Sequence, residues 1–449
     1  MLRYPVALLL CCLVAACSDT VPAPHTAVPS GVAPAVAPAA APVSLESSVD
    51  SWAAASPAAT ADGSATAFVR IVAPDGSASI GAYSAASGRL VAHLPVGVPA
   101  ADWSVLFAAD NDAGLTTVRA FNARTATVLR ATQLAGSWSL PTVIPDALPE
   151  GLAEHASLLV LQDAAPPTGM SRFALVDTTF ATAPRIVELA GMFEYDAIGP
   201  DGRYLFLVER LSTGVGGHYQ VRAYDTTLHR LVDGPIVDKR EIGGLMEGAP
   251  VARATATDGQ WAYTLYLRAD GSAFVHELDT LHAVALCADL PDGLRAVTDR
   301  ERRAWRIALG GASLPFVANG HLRVVGQVGM GEVPVVQQLA AAADPFADLA
   351  VGMPPARLYL AGPTTISILD GSTLRLVGRG GGGAPGGALI SADGGTLFAA
   401  ATATRSAGTA AVIEQYAIGP SPLRPVATVP LAGLSGWERA RLVGLASAP

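Results

Sequence analysis

Ala197-Ile198-Gly199-Pro200-Asp201-Gly202-Arg203-Tyr204-Leu205-Phe206-Leu207-Val208, then an apolar run from His218 to Tyr224, then Asp225-Thr226-Thr227-Leu228-His229-Arg230-Leu231-Val232, is the stretch that decides the fold. Asp-Gly closes a tight hairpin, because glycine takes the positive φ that other residues resist. The Tyr-Leu-Phe run that follows forms a half-buried strand. Asp-Thr-Thr then closes the next hairpin through side-chain hydrogen bonds to the backbone. The phrase therefore encodes a small antiparallel sheet.

It recurs. Ala254-Thr255-Ala256-Thr257-Asp258-Gly259-Gln260-Trp261-Ala262-Tyr263-Thr264-Leu265 is followed by Ala273 to Leu278 and by Asp279-Thr280-Leu281-His282-Ala283-Val284. A later copy has Ala392-Asp393-Gly394-Gly395-Thr396-Leu397-Phe398 and then Ala411 to Tyr416. A lone sheet leaves a face exposed, so such copies must pack on one another, radially or in a stack. The corners between strands fall at Ser84, Asn122, Asp177, Asp225, Asp279, a position near Val325, Asp370 and Ala417, at intervals of 38 to 55 residues. A period near 40 to 50 with four strands per unit is the β-propeller signature.

The phrases with Pro-Asp-Gly-Arg-Tyr-Leu, Tyr-Asp-Thr and Arg-Leu-Val resemble the YVTN-type and quinoprotein-like β-propeller superfamily over nearly all of residues 62 to 449. The expected fold is all-β, a propeller of about eight four-stranded blades, with seven as the alternative. The degenerate copies are Leu158 to Val176 and Trp305 to Val325. Arg441-Leu442-Val443-Gly444-Leu445-Ala446 reads as the first strand of a unit that then stops, and Ala67-Phe68-Val69-Arg70-Ile71 begins a unit lacking that strand. Pairing the two ends closes the ring and removes exposed sheet edges.

The N-terminus predicts where the protein resides. Arg3, an apolar run from Val6 to Val14 and small residues before a cysteine make a secretory signal peptide. In Leu13-Val14-Ala15-Ala16-Cys17 the final four residues resemble a bacterial lipobox, which implies lipidation of Cys17, removal of residues 1–16 and a membrane-tethered, extracytoplasmic protein. The apolar run is short of the about 20 residues a spanning helix needs. Ser18, following the cysteine where aspartate would favour retention in the inner membrane, points by analogy to the outer one. Residues 17–61 are Ala, Pro, Val and Ser with almost no charge, a composition that cannot bury enough surface to offset its ordering entropy. They read as a tether, and residues 62–449 as the propeller domain.

The 449 residues are 51% hydrophobic and 15% charged, ample for a large core. Loss of Arg3 with the signal takes 29 basic residues to 28 against 38 acidic ones, so the net charge moves from −9 to −10. That balance opposes binding to nucleic acid. Cys11 and Cys12 leave with the signal. Only Cys17 and Cys287 remain, too few for a disulfide framework, and Cys287 reads as a buried small hydrophobe.

No site stands out. His276 and His282 flank the Asp279 hairpin beside Glu277, without zinc-like spacing or a third ligand, and read as surface histidines. Gly378-Arg379-Gly380-Gly381-Gly382-Gly383 satisfies GxGxxG, yet no helix follows to hold a pyrophosphate; it reads as a loop between blades. Asp110-Asn111-Asp112-Ala113-Gly114 lacks the bidentate Glu of a calcium loop and reads as a hairpin turn. No nucleophile elbow occurs and no cysteine or serine has a histidine partner legible in sequence. Neither a metal nor a cofactor is expected, and the tryptophan-docking motif of quinoprotein dehydrogenases is not matched. The segment Val336 to Leu349 is the best candidate for a short helix over one mouth, and Pro141 to His155 for a second insertion. The expected role is a monomeric binding or scaffold domain for a protein, peptide or glycan partner at the cell envelope. The alternative is an envelope lactonase or dehydrogenase with acids, histidines or arginines converging on the axis.

Overall fold

The structure, a computed structural model, describes residues 64–153, 158–212, 217–236, 245–311, 314–329, 334–339, 345–352, 356–405, 408–419 and 423–448; Cys17, the signal and the tether lie outside them. Eight antiparallel sheets succeed one another as the blades of a β-propeller. Among the described residues, helix is confined to Asp299–Arg303.

Each blade is a meander that begins at the axis and ends at the rim. The inner strands are Ala440–Ala446 in blade 1, Val98–Pro99 in blade 2, Met192–Ile198 in blade 4, Ala249–Thr255 in blade 5, Trp305–Gly310 in blade 6, Asp348–Gly352 in blade 7 and Ala388–Ile390 in blade 8. In blade 3 the inner position is split between Trp138–Ser139 and Leu152–Ala153, both paired with Leu158–Asp163. The excursion between these two fragments is the expected insertion, described as far as Ala153. Ring closure matches the sequence reading. Ala440–Ala446 pairs antiparallel with Thr66–Val72, placing Leu445 opposite Ala67 and Ala446 opposite Thr66.

Packing is carried between blades rather than within them. Ala197, Phe206, Val221 and Ala223 of blade 4 meet Ala262, Leu278 and Ala285 of blade 5. Phe398, Ala400 and Ile413 of blade 8 meet Ala67, Val69, Tyr83 and Leu442 of blade 1. The last seam joins blades built from opposite ends of the chain, so the ring is sealed by hydrophobic burial as well as by strand pairing.

The recurring corners have one physical cause. Asp225 Oδ1 accepts from the backbone N–H groups of Thr227 and Leu228 at 2.9 and 2.8 Å, and Asp279 Oδ1 from those of Leu281 and His282 at 3.0 and 3.1 Å. Asn122 and Asp370 do the same. Such side-chain caps replace a turn's missing backbone partners. The following threonine ties the two turns of a blade together: Thr226 Oγ1 donates to Gly202 O and Thr280 Oγ1 to Gly259 O, each at 2.7 Å.

Two expectations fail here. The corner placed near Val325 is Asn319, whose Oδ1 caps His321 and Leu322; Val325 lies inside the third strand of blade 6. Because the inner strand of this blade is Trp305–Gly310, its capped corner joins the second and third strands, not the third and fourth, and the repeat frame slips. The helix expected over Val336 to Leu349 is also absent among the described residues. Val335–Gln338 is the rim strand of blade 6 and Asp348–Gly352 the inner strand of blade 7. The β-branched pair Val335-Val336, paired with Gln327 and Gly326, satisfies a strand ladder that helical propensity does not offset.

Candidate functional site

The inner strands start at one face of the ring, the leading mouth, and end at the other, the trailing mouth. Near the trailing ends of two neighbouring inner strands lie Asp196 in blade 4 and Arg253 in blade 5. Asp196 occupies a β-bulge between Tyr195 and Ala197. A bulge turns a side chain out of the regular alternation, and here it turns a carboxylate into the seam between blades, where it is 1% exposed.

Arg253 answers it. Its NH1 group donates to Asp196 Oδ1 at 2.9 Å and to Thr264 Oγ1 at 2.7 Å, and its NH2 group to the Asp196 carbonyl at 2.8 Å. A second carboxylate arrives from the blade 3 insertion, with Glu150 Oε2 2.9 Å from Arg253 Nε. The Arg253 side chain is 4% exposed and that of Glu150 27%. Gly151 lets the insertion turn back: at φ +113 it accepts from Val160 N at 2.8 Å, and a Cβ there would collide with the Val160 carbonyl.

Charge bookkeeping explains the titration. One guanidinium faces two carboxylates, so the cluster carries a formal −1 when both are ionised and is neutral when one is protonated. Burial raises the Glu150 carboxyl above its ordinary range against the pull of Arg253, and Asp196 pushes it further up. Burial works to lower Arg253, but the attraction of Glu150 and Asp196 outweighs it and holds the guanidinium charged. The Tyr195 hydroxyl is driven up chiefly by burial.

Glu150 and Arg253, with Asp196 buried behind them, form the polar floor of a cavity of about 440 Å³ at the trailing mouth, walled by Val98, Leu148, Tyr195 and Ile198. Apolar walls around a few converging polar groups are the ordinary make-up of a ligand site. Two acids and an arginine thus meet where the inner strands of neighbouring blades end. The Glu150 oxygens can accept from an N–H or O–H donor, or give and take a proton.

The residues singled out from sequence lie elsewhere. His276 is 1% exposed, not on the surface, because the third strand of blade 5 is buried along its whole length. Its Nδ1 stands 3.6 Å from Cys287 Sγ, so Cys287 is half-buried against an imidazole rather than a purely hydrophobic filler. His282 is exposed and caps Asp279 Oδ2 at 2.9 Å. Gly378–Gly383 ends a rim strand and leads into the connection to blade 8, and Ala113-Gly114 forms the hairpin turn between Val105–Asp112 and Leu115–Asn122. Among the described residues no three His, Cys, Asp or Glu side chains converge as a metal site would need. Glu150, Asp196 and Arg253 were not singled out. The legible signal was a charge inside an apolar inner-strand run, as in Phe193-Glu194-Tyr195-Asp196-Ala197 and Val251-Ala252-Arg253-Ala254.

No protein-family model matches the chain, and no curated protein matches it. Similar folds occur among solved structures. Apo AztD from Citrobacter koseri superposes with a TM-score of 0.54 at 11% identity, covering 86% of this chain and 99% of that one. A second structure of Citrobacter koseri AztD gives 0.50 at 12% identity, covering 85% and 98%. At such identities the likeness is one of fold alone, and the class it shares with this chain is the β-propeller.

Proposed function

We propose that the chain is a cell-envelope lipoprotein, anchored through Cys17 and a Pro/Ala tether, whose propeller binds a protein, peptide or glycan partner at the trailing mouth. The observation that carries this reading is the apolar cavity floored by Glu150 and Arg253, with Asp196 buried behind them. An interrupted inner strand builds it, and a ring needing only stability would have no use for that interruption. Peptides and glycans present N–H and O–H donors, which suit the Glu150 carboxyl at the floor, and carbonyl or hydroxyl oxygens that can accept from Arg253. The Cys17 motif supports attachment by lipid.

Two measurements test the two halves. A tagged fatty acid should label the wild-type chain and not Cys17→Ala; label that persists in the variant refutes the anchor. In pull-downs from envelope extracts, the full chain should recover a saturable partner that is lost at least tenfold in Glu150→Gln and Leu148→Asp. Recovery unaffected by both variants removes the trailing mouth from the reading.

The raised Glu150 carboxyl favours one second reading, an envelope lactonase with Glu150 as proton donor and acceptor. Turnover of a lactone panel, abolished in Glu150→Gln, would establish it, and inactivity of the wild type would dismiss it.

A further inference from the structure

At the leading mouth the charge is reversed. Helix Asp299–Arg303 stands just before the inner strand of blade 6, held by a capping box in which Glu301 accepts from Thr298 N at 2.8 Å while Thr298 Oγ1 accepts from Glu301 N at 3.2 Å. Asn319 Nδ2 donates to Glu301 O at 2.8 Å, and the Arg302 NH2 group to Ala269 O at 3.1 Å. These bonds fix the helix against two blades. They leave Arg300 and Arg303 lining a cavity of about 450 Å³ together with Arg306, His321 and Phe346. Its described lining carries four basic side chains and no acidic one.

The carboxylate that faces Arg306 is already shared. Asp348 Oδ1 receives the Arg441 NH2 group at 2.9 Å and stands 4.0 Å from Arg306 Nε, while its Oδ2 accepts from Ala388 N at 3.1 Å. Arg306 otherwise donates to carbonyl oxygens, those of Ala347, Arg303 and Trp305, which satisfy hydrogen bonds without neutralising charge. Two half-buried guanidiniums thus share one carboxylate. Burial, helped by the nearby Arg441 and opposed by Asp348, lowers the Arg306 guanidinium to about 10. Arg303 meets Asp299 only at 4.0 Å between side chains 79% and 84% exposed, a pair worth little in water. A protein of net charge −9 has concentrated cations in one concave place.

We infer that the leading mouth is an anion-binding site whose ligand is a small polyanion carrying at least two carboxylate or phosphate groups. Planar guanidiniums grip such oxyanions in pairs. Two or more oxyanions would reach Arg306 in the cavity and Arg300 and Arg303 at its lip together. The site lies across the ring from the trailing cavity and is independent of it.

Isothermal titration of the full chain in detergent, at low ionic strength, with pyrophosphate and with citrate separately, tests this. One-to-one binding is expected for at least one of them, weakened tenfold or more in Arg300→Gln/Arg303→Gln and again by added salt. Those two side chains are at the helix surface, so folding is not at issue; Arg306→Gln is the deeper variant, scored only if its thermal midpoint matches wild type. Arg375→Gln, at the rim of blade 7, should leave affinity unchanged. Binding of pyrophosphate alone assigns a phosphate ligand, and of citrate alone a carboxylate one. Failure of both anions to bind at millimolar concentration overturns the site, as does affinity indifferent to Arg300→Gln/Arg303→Gln.

Discussion

Arg253 lies between two carboxylates in a seam that water barely reaches, and for such a group the loss of one partner costs more than the intact pair contributes. Arg253→Ala leaves Asp196, 1% exposed, without its cation. The expected loss is about 3–5 kcal/mol of unfolding free energy, read as a lower denaturant midpoint. Replacing the whole set, as Arg253→Met with Asp196→Leu and Glu150→Gln, should recover most of it. A single variant as stable as wild type would show that the cluster is not buried as described. This is also the scale at which the sequence was least legible. Nothing in the local pattern around Glu150 tells that Pro141–Gly151 folds back to the axis, because its partner Arg253 is 103 residues away (253 − 150). Charge inside an apolar strand marks a site only once the neighbouring blade is known.

At the scale of the element, the corners are the legible part. Asp-Thr-Thr at Asp225 and Asp-Gly at Asp201 and Asp258 announce turns whose hydrogen bonds are local, so chain order alone specifies them. Asn319 evaded the frame because the same capping chemistry serves a different pair of strands. The rim strand Val335–Gln338 was misjudged because an Ala-rich neighbourhood suggests helix, whereas pairing with Val324–Gln327 decides otherwise. The corner carboxylates also set an acid limit. Hydrogen bonds from the Ser372 hydroxyl, the Thr373 backbone and the Thr373 hydroxyl hold Asp370 down from 3.8 to about 2, and Asp177 and Asp225 are lowered too. A depressed carboxylate stabilises the fold above its unfolded pKa and loses that contribution as pH falls through its folded one. For Asp370 the window runs from about pH 4 to about pH 2. Asp370→Asn should flatten the decline of the thermal midpoint across that window, while an unchanged acid profile would show that the turn caps contribute nothing.

For the whole molecule, the period and the complementary ends of the chain disclosed a closed ring, since Arg441–Ala446 and Ala67–Ile71 read as two parts of one blade. Blade count followed from eight corners even with one misplaced. The two mouths did not follow, because they are assembled from the ends of inner strands far apart in sequence, with opposite charge at opposite faces. Leu442 and Ala446 are buried against blades 8 and 2 respectively. Trp103 of blade 2, stacked on Phe68 at 4.2 Å, presses so closely on Gly444 that no Cβ fits there. Removing this strand would uncover several large side chains worth about 1.5–3 kcal/mol each and leave the Thr66–Val72 edge unpaired.

Thermal unfolding of the chain truncated after Arg439 is therefore the most direct test of the closed propeller. A ring zipped by its own termini requires the midpoint to fall by roughly 10 °C or more, or cooperative unfolding to vanish. A truncated chain that unfolds at the wild-type temperature with the wild-type sharpness would contradict it.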